Sequence, residues 1–167
     1  MAPRVDFVES GAGWRRALPA RRLAREAIAA AADEAGVKLK RGAELTIHLS
    51  DDAAVRALNK QYRKKDAPTN VLSFPAVAAE RLGGAMLLGD VFLALETLER
   101  EAGAEKKLLA DHFCHLVAHG FLHLVGFDHE TAEEAKAMES VEVRALARLG
   151  VADPYAGQEP ASDEPAP

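Results

Sequence analysis

The spacing of hydrophobic and polar positions divides the chain into segments of two periods. Residues 4–9 carry a short strand-like alternation, cut off by the Gly11-Ala12-Gly13 run. From Ala20 to about Ala35 the pattern is helical: Leu23, Ala27, Ala30 and Ala31 share a face, and Gly36 stands where a C-terminal cap belongs. Residues 44–49 alternate again and include β-branched residues, which predicts a strand. Ser50 or Asp51 can cap a second helix reaching about Arg63. Asp66 to Asn70 is turn chemistry, and residues 71–75 (VLSFP) read as a short strand ended by Pro75. Residues 76–85 are a loop around Gly83-Gly84, and 86–93 a strand interrupted at Gly89-Asp90. A helix follows from about Leu95 to Ala102, broken by Gly103. The next runs from about Ala104 to Val125, ended by Gly126. Thr131 with Glu134 is a capping box opening a last helix to Leu149, and Gly150 closes it.

Short strands mixed with longer helices predict an α+β fold, a single domain over residues 1–150. It has one mixed sheet of about four strands packed against about five helices. Residues 151–167 hold half of the chain's 8 prolines and are expected to form a disordered acidic tail. A hydrophobic fraction of 49 % in 167 residues is enough for a core without staples. The single cysteine, Cys114, excludes an intramolecular disulfide, fits a reducing compartment and reads as a buried apolar residue. No secretory segment and no membrane-length apolar run is found, so a cytoplasmic location is expected.

The net charge of -5 hides a separation of charge. Asp153, Glu159, Asp163 and Glu164 fall in the tail, which has no Lys or Arg, and without them the rest is close to neutral. Positive residues then cluster twice, as Arg15, Arg16, Arg21, Arg22 and Arg25 and as Lys60, Arg63, Lys64 and Lys65. Such patches suit a polyanionic partner, although the first cluster reads more simply as a solvated helix face.

The candidate chemistry lies between positions 112 and 129, which hold His112, His115, His119, His123 and His129. His115, His119 and His123 are each four apart and share one helical face. Each step along that face rises roughly 6 Å, so neighbours can chelate one ion while the outer two, roughly 12 Å apart, cannot. Gly126 ends the helix and lets the chain return, which makes His129 a natural third ligand beside His119 and His123. Three imidazoles leave an open position, the pattern of a catalytic zinc site with one Zn2+ per chain, though nickel or copper also suit nitrogen ligands. The metal site is therefore expected on the penultimate helix and the loop after it.

The ligand spacing in H-G-F-L-H-L-V-G-F-D-H is that of the zinc-protease motif H-E-x-x-H-x-x-G-x-x-H. Gly120 occupies the place of the glutamate that takes a proton from metal-bound water, which disfavours proteolysis by that route. The same segment resembles the signature H-G-x-L-H-L-x-G-[YF]-D-H of the bacterial YbeY family, rRNA maturation factors regarded as single-strand-specific endoribonucleases. Leu58-Asn59-Lys60-Gln61-Tyr62-Arg63, Asp66 and Pro68 to Pro75 resemble that family's L-N-x-x-Y-R-x-x-D-x-P-T-[DN]-V-L-S-F block. Leu88-Gly89-Asp90-Val91 resembles its L-G-D-[IV] strand.

The resemblance implies zinc on His119, His123 and His129 and an important cleft arginine at Arg63. It also implies action in 16S rRNA 3′-end processing and ribosome biogenesis. The expected partners are single-stranded RNA, rRNA and the small ribosomal subunit with its proteins; neither DNA nor a membrane is expected. A guanidinium at Arg63 would bind phosphoryl oxygens in a bidentate fashion, against a plain salt bridge to Asp66 as the alternative. Lys60, Lys64 and Lys65 could track a backbone. Tyr62 could stack on a base, but core packing is the favoured reading. Asp128 could orient a ligand, act as a base or cap a turn. His115 could support the ligands or be a buried, hydrogen-bonded residue. Ser73 and Thr69 could bond a phosphate or cap a strand end. His48 is given no role. No convincing general base is visible. The two rival readings are a non-catalytic zinc-stabilised ribosome-assembly factor and a zinc protease with a base from outside the motif.

Overall fold

The computed structural model describes residues 2–64 and 69–157. Four strands form one sheet: β1 (Arg4–Glu9), β2 (Glu44–Ser50), β3 (Val71–Pro75) and β4 (Leu87–Ala94). Their order is β1-β2-β4-β3, with β1, β2 and β4 parallel and β3 antiparallel at the edge beside β4. The helices are α1 (Gly13–Ala17), α2 (Ala20–Ala35), α3 (Asp52–Arg63), α4 (Leu95–Ala104), α5 (Leu109–Leu124) and α6 (Ala132–Arg148). This is the expected α+β domain with a mixed four-stranded sheet.

Strand alternation decides which residues meet which layer. Leu45, Ile47 and Leu49 of β2 and Val91 and Leu93 of β4 are fully buried on the face shared with α2, α5 and α6. The opposite face holds a smaller cluster of Val55, Leu72 and Ala94 beneath α3, with Leu58, Phe74 and Phe92 against it. In α2, Ala20, Ala24, Ala27, Ile28 and Ala31 form a buried stripe, small enough to let α2 lie against α5 and α6. Asp51 caps α3 by accepting from the Ala54 amide at 2.8 Å, and Thr131 caps α6 through the Glu134 amide at 3.1 Å.

Several boundaries differ from expectation. The glycine run at 11–13 does not end structure: α1 starts at Gly13, anchored by buried Trp14, whose indole Nε1 donates to the Ser50 carbonyl at 2.9 Å. The loop at 76–85 contains a 3-10 helix, Ala79–Gly84. Gly89 does not interrupt β4. It is a bulge at φ 135°, where a Cβ would lie 2.2 Å from the Phe74 carbonyl oxygen. Gly103 lies inside α4, and α5 starts at Leu109 after a turn that holds Lys106 at φ 55°. Within 151–157 of the expected tail, Val151 packs against the core, Pro154 is buried and the Tyr155 hydroxyl reaches His115 and Glu142. Residues 158–167 lie outside the described residues, as do Lys65, Asp66, Ala67 and Pro68. Among the described residues no helix is long and apolar enough to cross a membrane.

Candidate metal centre

α5 places its histidines by register alone. Ring centroids of His119 and His123 are 4.7 Å apart, and His129 lies 5.4 and 5.0 Å from them. His115 is 6.3 Å from His119, one turn further from the group. The chain reaches back to His129 through Gly126 at φ 98°, a backbone shape that residues with a Cβ rarely adopt. The Asp128 carboxylate accepts from the His129 amide at 2.8 Å, so part of its role is to hold this turn.

One ring nitrogen of each of His119, His123 and His129 lies within 4.8 Å of the others. Hydrogen bonds orient two of these rings. His123 Nδ1 donates to the Phe127 carbonyl at 3.0 Å, an atom that can only accept. His119 Nδ1 donates to Glu142 Oε1 at 2.5 Å. With Nδ1 of each ring turned to an acceptor, the two Nε2 atoms point inward and lie 3.1 Å apart. Burial first, then the neighbouring His119 and His129, lower the His123 imidazole to about 4, so near neutral pH it is not protonated. When both rings are neutral, two inward-facing Nε2 atoms are a donor pair for an electrophile. Two zinc–nitrogen bonds at a tetrahedral angle would separate the nitrogens by about 3.3 Å, so the donor set fits that ion.

A second group, His115, His119 and Glu142, also converges within 4.8 Å. Its atoms are already joined by hydrogen bonds, which makes it support for the first group. Glu142 is fully buried on α6. It accepts from His119, lies 3.3 Å from His115 Nε2 and accepts from the Tyr155 hydroxyl. Burial alone would raise this carboxyl; hydrogen bonds from His115 and His119 outweigh burial and hold it at about 2. A charged carboxylate on Nδ1 fixes the ring and makes Nε2 a stronger donor to a metal. Neither Glu142 nor Tyr155 was anticipated from sequence. A signal for Glu142 exists: with Met138, Val141, Ala145 and Leu146 it lies in the apolar stripe of α6, where a glutamate needs a partner.

The open side of the histidine group faces a cleft of ≈ 550 Å³ lined by Arg63, Ser73, His123, Asp128, His129 and Glu130, with Pro75, Gly126 and Phe127. Arg63 comes from the last turn of α3 and is exposed. Ser73 lines the cleft, but its hydroxyl donates to the Gly120 carbonyl at 3.0 Å, which ties β3 to α5. Lys64 caps α3 at φ 58°, exposed and outside the cleft lining. His115 stands behind His119, on Glu142 and Tyr155. Gly120 is where α5 presses on the sheet: a Cβ there would be 2.7 Å from Val91 Cγ1 and 3.2 Å from Ser73 Oγ. The glutamate of zinc proteases has no room at this position.

The family model for endoribonuclease YbeY matches residues 15–150, which include every one of these cleft and ligand residues. The chain belongs to the YbeY family. Among its relatives, an endoribonuclease YbeY of Rhodopseudomonas palustris (strain CGA009) is 47% identical over 159 residues, covering 94% of this chain and 83% of its own. Another, from Azorhizobium caulinodans, is 47% identical over 152 residues, covering 91% and 96%. The solution structure of TM1509 from Thermotoga maritima is similar in fold, with a TM-score of 0.56 at 20% identity over 95% of this chain and 99% of that one. Tyr155 lies beyond the residues that the family model matches.

The remaining residues singled out in the sequence have simpler surroundings. Arg15 and Arg21 pair with Glu9, Arg22 pairs with Glu26, and Arg21 and Arg25 lie over the Phe7 ring. Four of the five arginines of the first basic cluster are thus engaged with their own surface. Cys114 is buried, and burial with nearby Asp111 pushes its thiol up to about 12.

Proposed function

We propose that this chain is a zinc-dependent, single-strand-specific endoribonuclease that matures rRNA, acting at the 16S 3′ end during ribosome biogenesis in the cytoplasm. Its partners in this reading are single-stranded rRNA and the small ribosomal subunit. The observation that supports it most is the convergence of three imidazole nitrogens on a cleft that also receives Arg63. Its RNA substrate follows from the names of the relatives.

His119, His123 and His129 would hold the metal, which when bound supplies a Lewis acid and hydroxide at neutral pH. Glu142 fixes His119, and the Phe127 carbonyl fixes His123, so both nitrogens are aimed before substrate arrives. The Arg63 guanidinium binds non-bridging phosphoryl oxygens and offsets the charge that grows on them during cleavage. Asp128 and Glu130 are the carboxylates lining the cleft and are placed to take a proton there. Proteolysis by the zinc-protease route lacks its base, because Gly120 packs against Val91 and Ser73.

The test is cleavage of a single-stranded RNA carrying a 16S 3′ end, by wild type, His123→Ala and Arg63→Ala purified alike. Cutting by wild type alone, with both variants folded, supports the reading. Equal cutting by all three identifies a contaminant. A zinc-loaded wild type that cuts nothing favours a non-catalytic assembly factor.

A further inference from the structure

The edge strand β3 lines two different cavities, one on each of its faces. Ser73 and Pro75 line the metal cleft, whereas Phe74 points the other way. There it joins Leu58, Tyr62, His48, Asp90 and Phe92 around a groove of ≈ 340 Å³. The last turn of α3 bridges the two: Tyr62 lines the groove, and Arg63, the next residue, lines the cleft. None of the chemistry assigned to the cleft uses this groove.

Its walls are aromatic. The Tyr62 ring meets Phe74 edge-on at 5.3 Å, and Phe74 meets Phe92 edge-on at 5.7 Å. His48 stacks on Phe92 at 3.9 Å, nearly parallel, as its cross-strand partner on β2. Tyr62 remains 61% exposed, against the core packing expected from sequence. One polar pair interrupts the apolar lining: His48 Nε2 lies 2.8 Å from Asp90 Oδ1. Lys60, Arg63 and Lys64 are exposed at the same end of α3 as Tyr62. An exposed aromatic surface beside a cluster of cations is the combination by which proteins hold single-stranded nucleic acid. The groove is near the lower limit of about 300 Å³ for small-ligand pockets, a size suited to one base.

We propose, resting on the ribonuclease reading above, that this groove is a base-binding subsite for single-stranded RNA. The strand crosses the edge of the sheet at β3, with a phosphate on Arg63 in the cleft. A neighbouring base turns into the groove, stacks on Tyr62 and offers an amino edge to the Asp90 carboxylate. A base in a duplex is stacked and paired and cannot make that turn, so the groove selects single strands by geometry.

The test is binding of a short labelled single-stranded RNA to the full, metal-loaded chain, measured for wild type, Tyr62→Ala and Tyr62→Phe. Because Tyr62 is exposed, its truncation leaves no core cavity, and melting curves verify the fold. Tyr62→Ala is expected to weaken binding about 5- to 150-fold, the range found for losing one stacked base. Tyr62→Phe stays within about twofold of wild type, and the salt dependence is unchanged because no cation is lost. An RNA with one abasic site at the matching nucleotide lowers wild-type affinity equally and is indifferent to Tyr62→Ala. Wild-type affinity in Tyr62→Ala, or a Tyr62→Phe variant as weak as Tyr62→Ala, overturns the subsite while leaving the ribonuclease reading intact. A wild type that neither binds nor cuts RNA removes both.

Discussion

Replacing Glu142 by glutamine changes one atom and no appreciable volume, so it isolates what the buried carboxylate does. In the native arrangement both oxygens accept: Oε1 from His119 Nδ1 at 2.5 Å, Oε2 from the Tyr155 hydroxyl with His115 Nε2 at 3.3 Å. An amide offers one acceptor and one donor. Keeping the carbonyl toward His119 turns the NH₂ toward Tyr155 and His115, whose hydroxyl and ring must then reorganise to accept. The reverse orientation sets donor against donor at His119. A hydrogen bond to a charged group contributes about 1.5–3 kcal/mol, and the relief of not burying a charge offsets part of its loss. Glu142→Gln is therefore expected to destabilise the apoprotein by about 1–3 kcal/mol, lowering Tm by roughly 2–12 °C for a chain of this size. Its larger effect is on the metal. Loss of a carboxylate behind a histidine ligand typically lowers metal affinity about 10- to 100-fold. Competition against a chromogenic zinc chelator measures that directly, with urea unfolding of the apoprotein alongside. Zinc affinity within about twofold of wild type, in a variant that remains folded, would refute the claim that Glu142 prepares His119.

Tyr155→Phe retains the ring against His115 and removes one donor to the same carboxylate. Zinc affinity should fall about 3- to 10-fold by the same competition assay, with a smaller loss for the apoprotein than in Glu142→Gln. Gly120→Glu, which restores the protease motif in sequence, should unfold the protein or lower its Tm by more than about 10 °C without creating peptidase activity; calorimetry and a casein assay read both, and a stable variant would contradict the 2.7 Å approach to Val91. Cys114, buried and with its thiol pushed up to about 12, should resist alkylation near pH 8 in the folded protein and react at once in denaturant, as followed by mass spectrometry.

The legible parts of this structure are those whose signals are local. A helical rise of one turn every four residues brings His119 and His123 together, and a glycine three residues later returns His129, so this group can be read along a short segment. Thr131 and Asp51 announce their helices because capping is a matter of three residues. Strand identity followed alternation, but Gly89 shows the limit: the same residue that suggests a break in sequence is accommodated as a bulge once β2 and β3 lie beside it. Trp14 illustrates the converse, since a distant Ser50 carbonyl secures a helix that glycines would otherwise discourage. Glu142 and Tyr155 depend on contacts across 13 to 40 residues. No pattern near His119 points to them. Tyr62 was misplaced because an aromatic residue on an amphipathic helix usually packs inward, and only the position of α3 at the sheet edge leaves it open.

The dependence of His119 on the last helix also has a temporal side. The complete histidine motif is synthesised by residue 129, yet the carboxylate that orients its first member arrives at 142 and the phenol that completes the shell at 155. A chain released early by a stop codon, a frameshift or a protease would carry all three histidines and lack the carboxylate that orients His119. On the metal-site reading, a product lacking α6 keeps the three histidines but holds an ion more weakly, so the motif alone does not make the site.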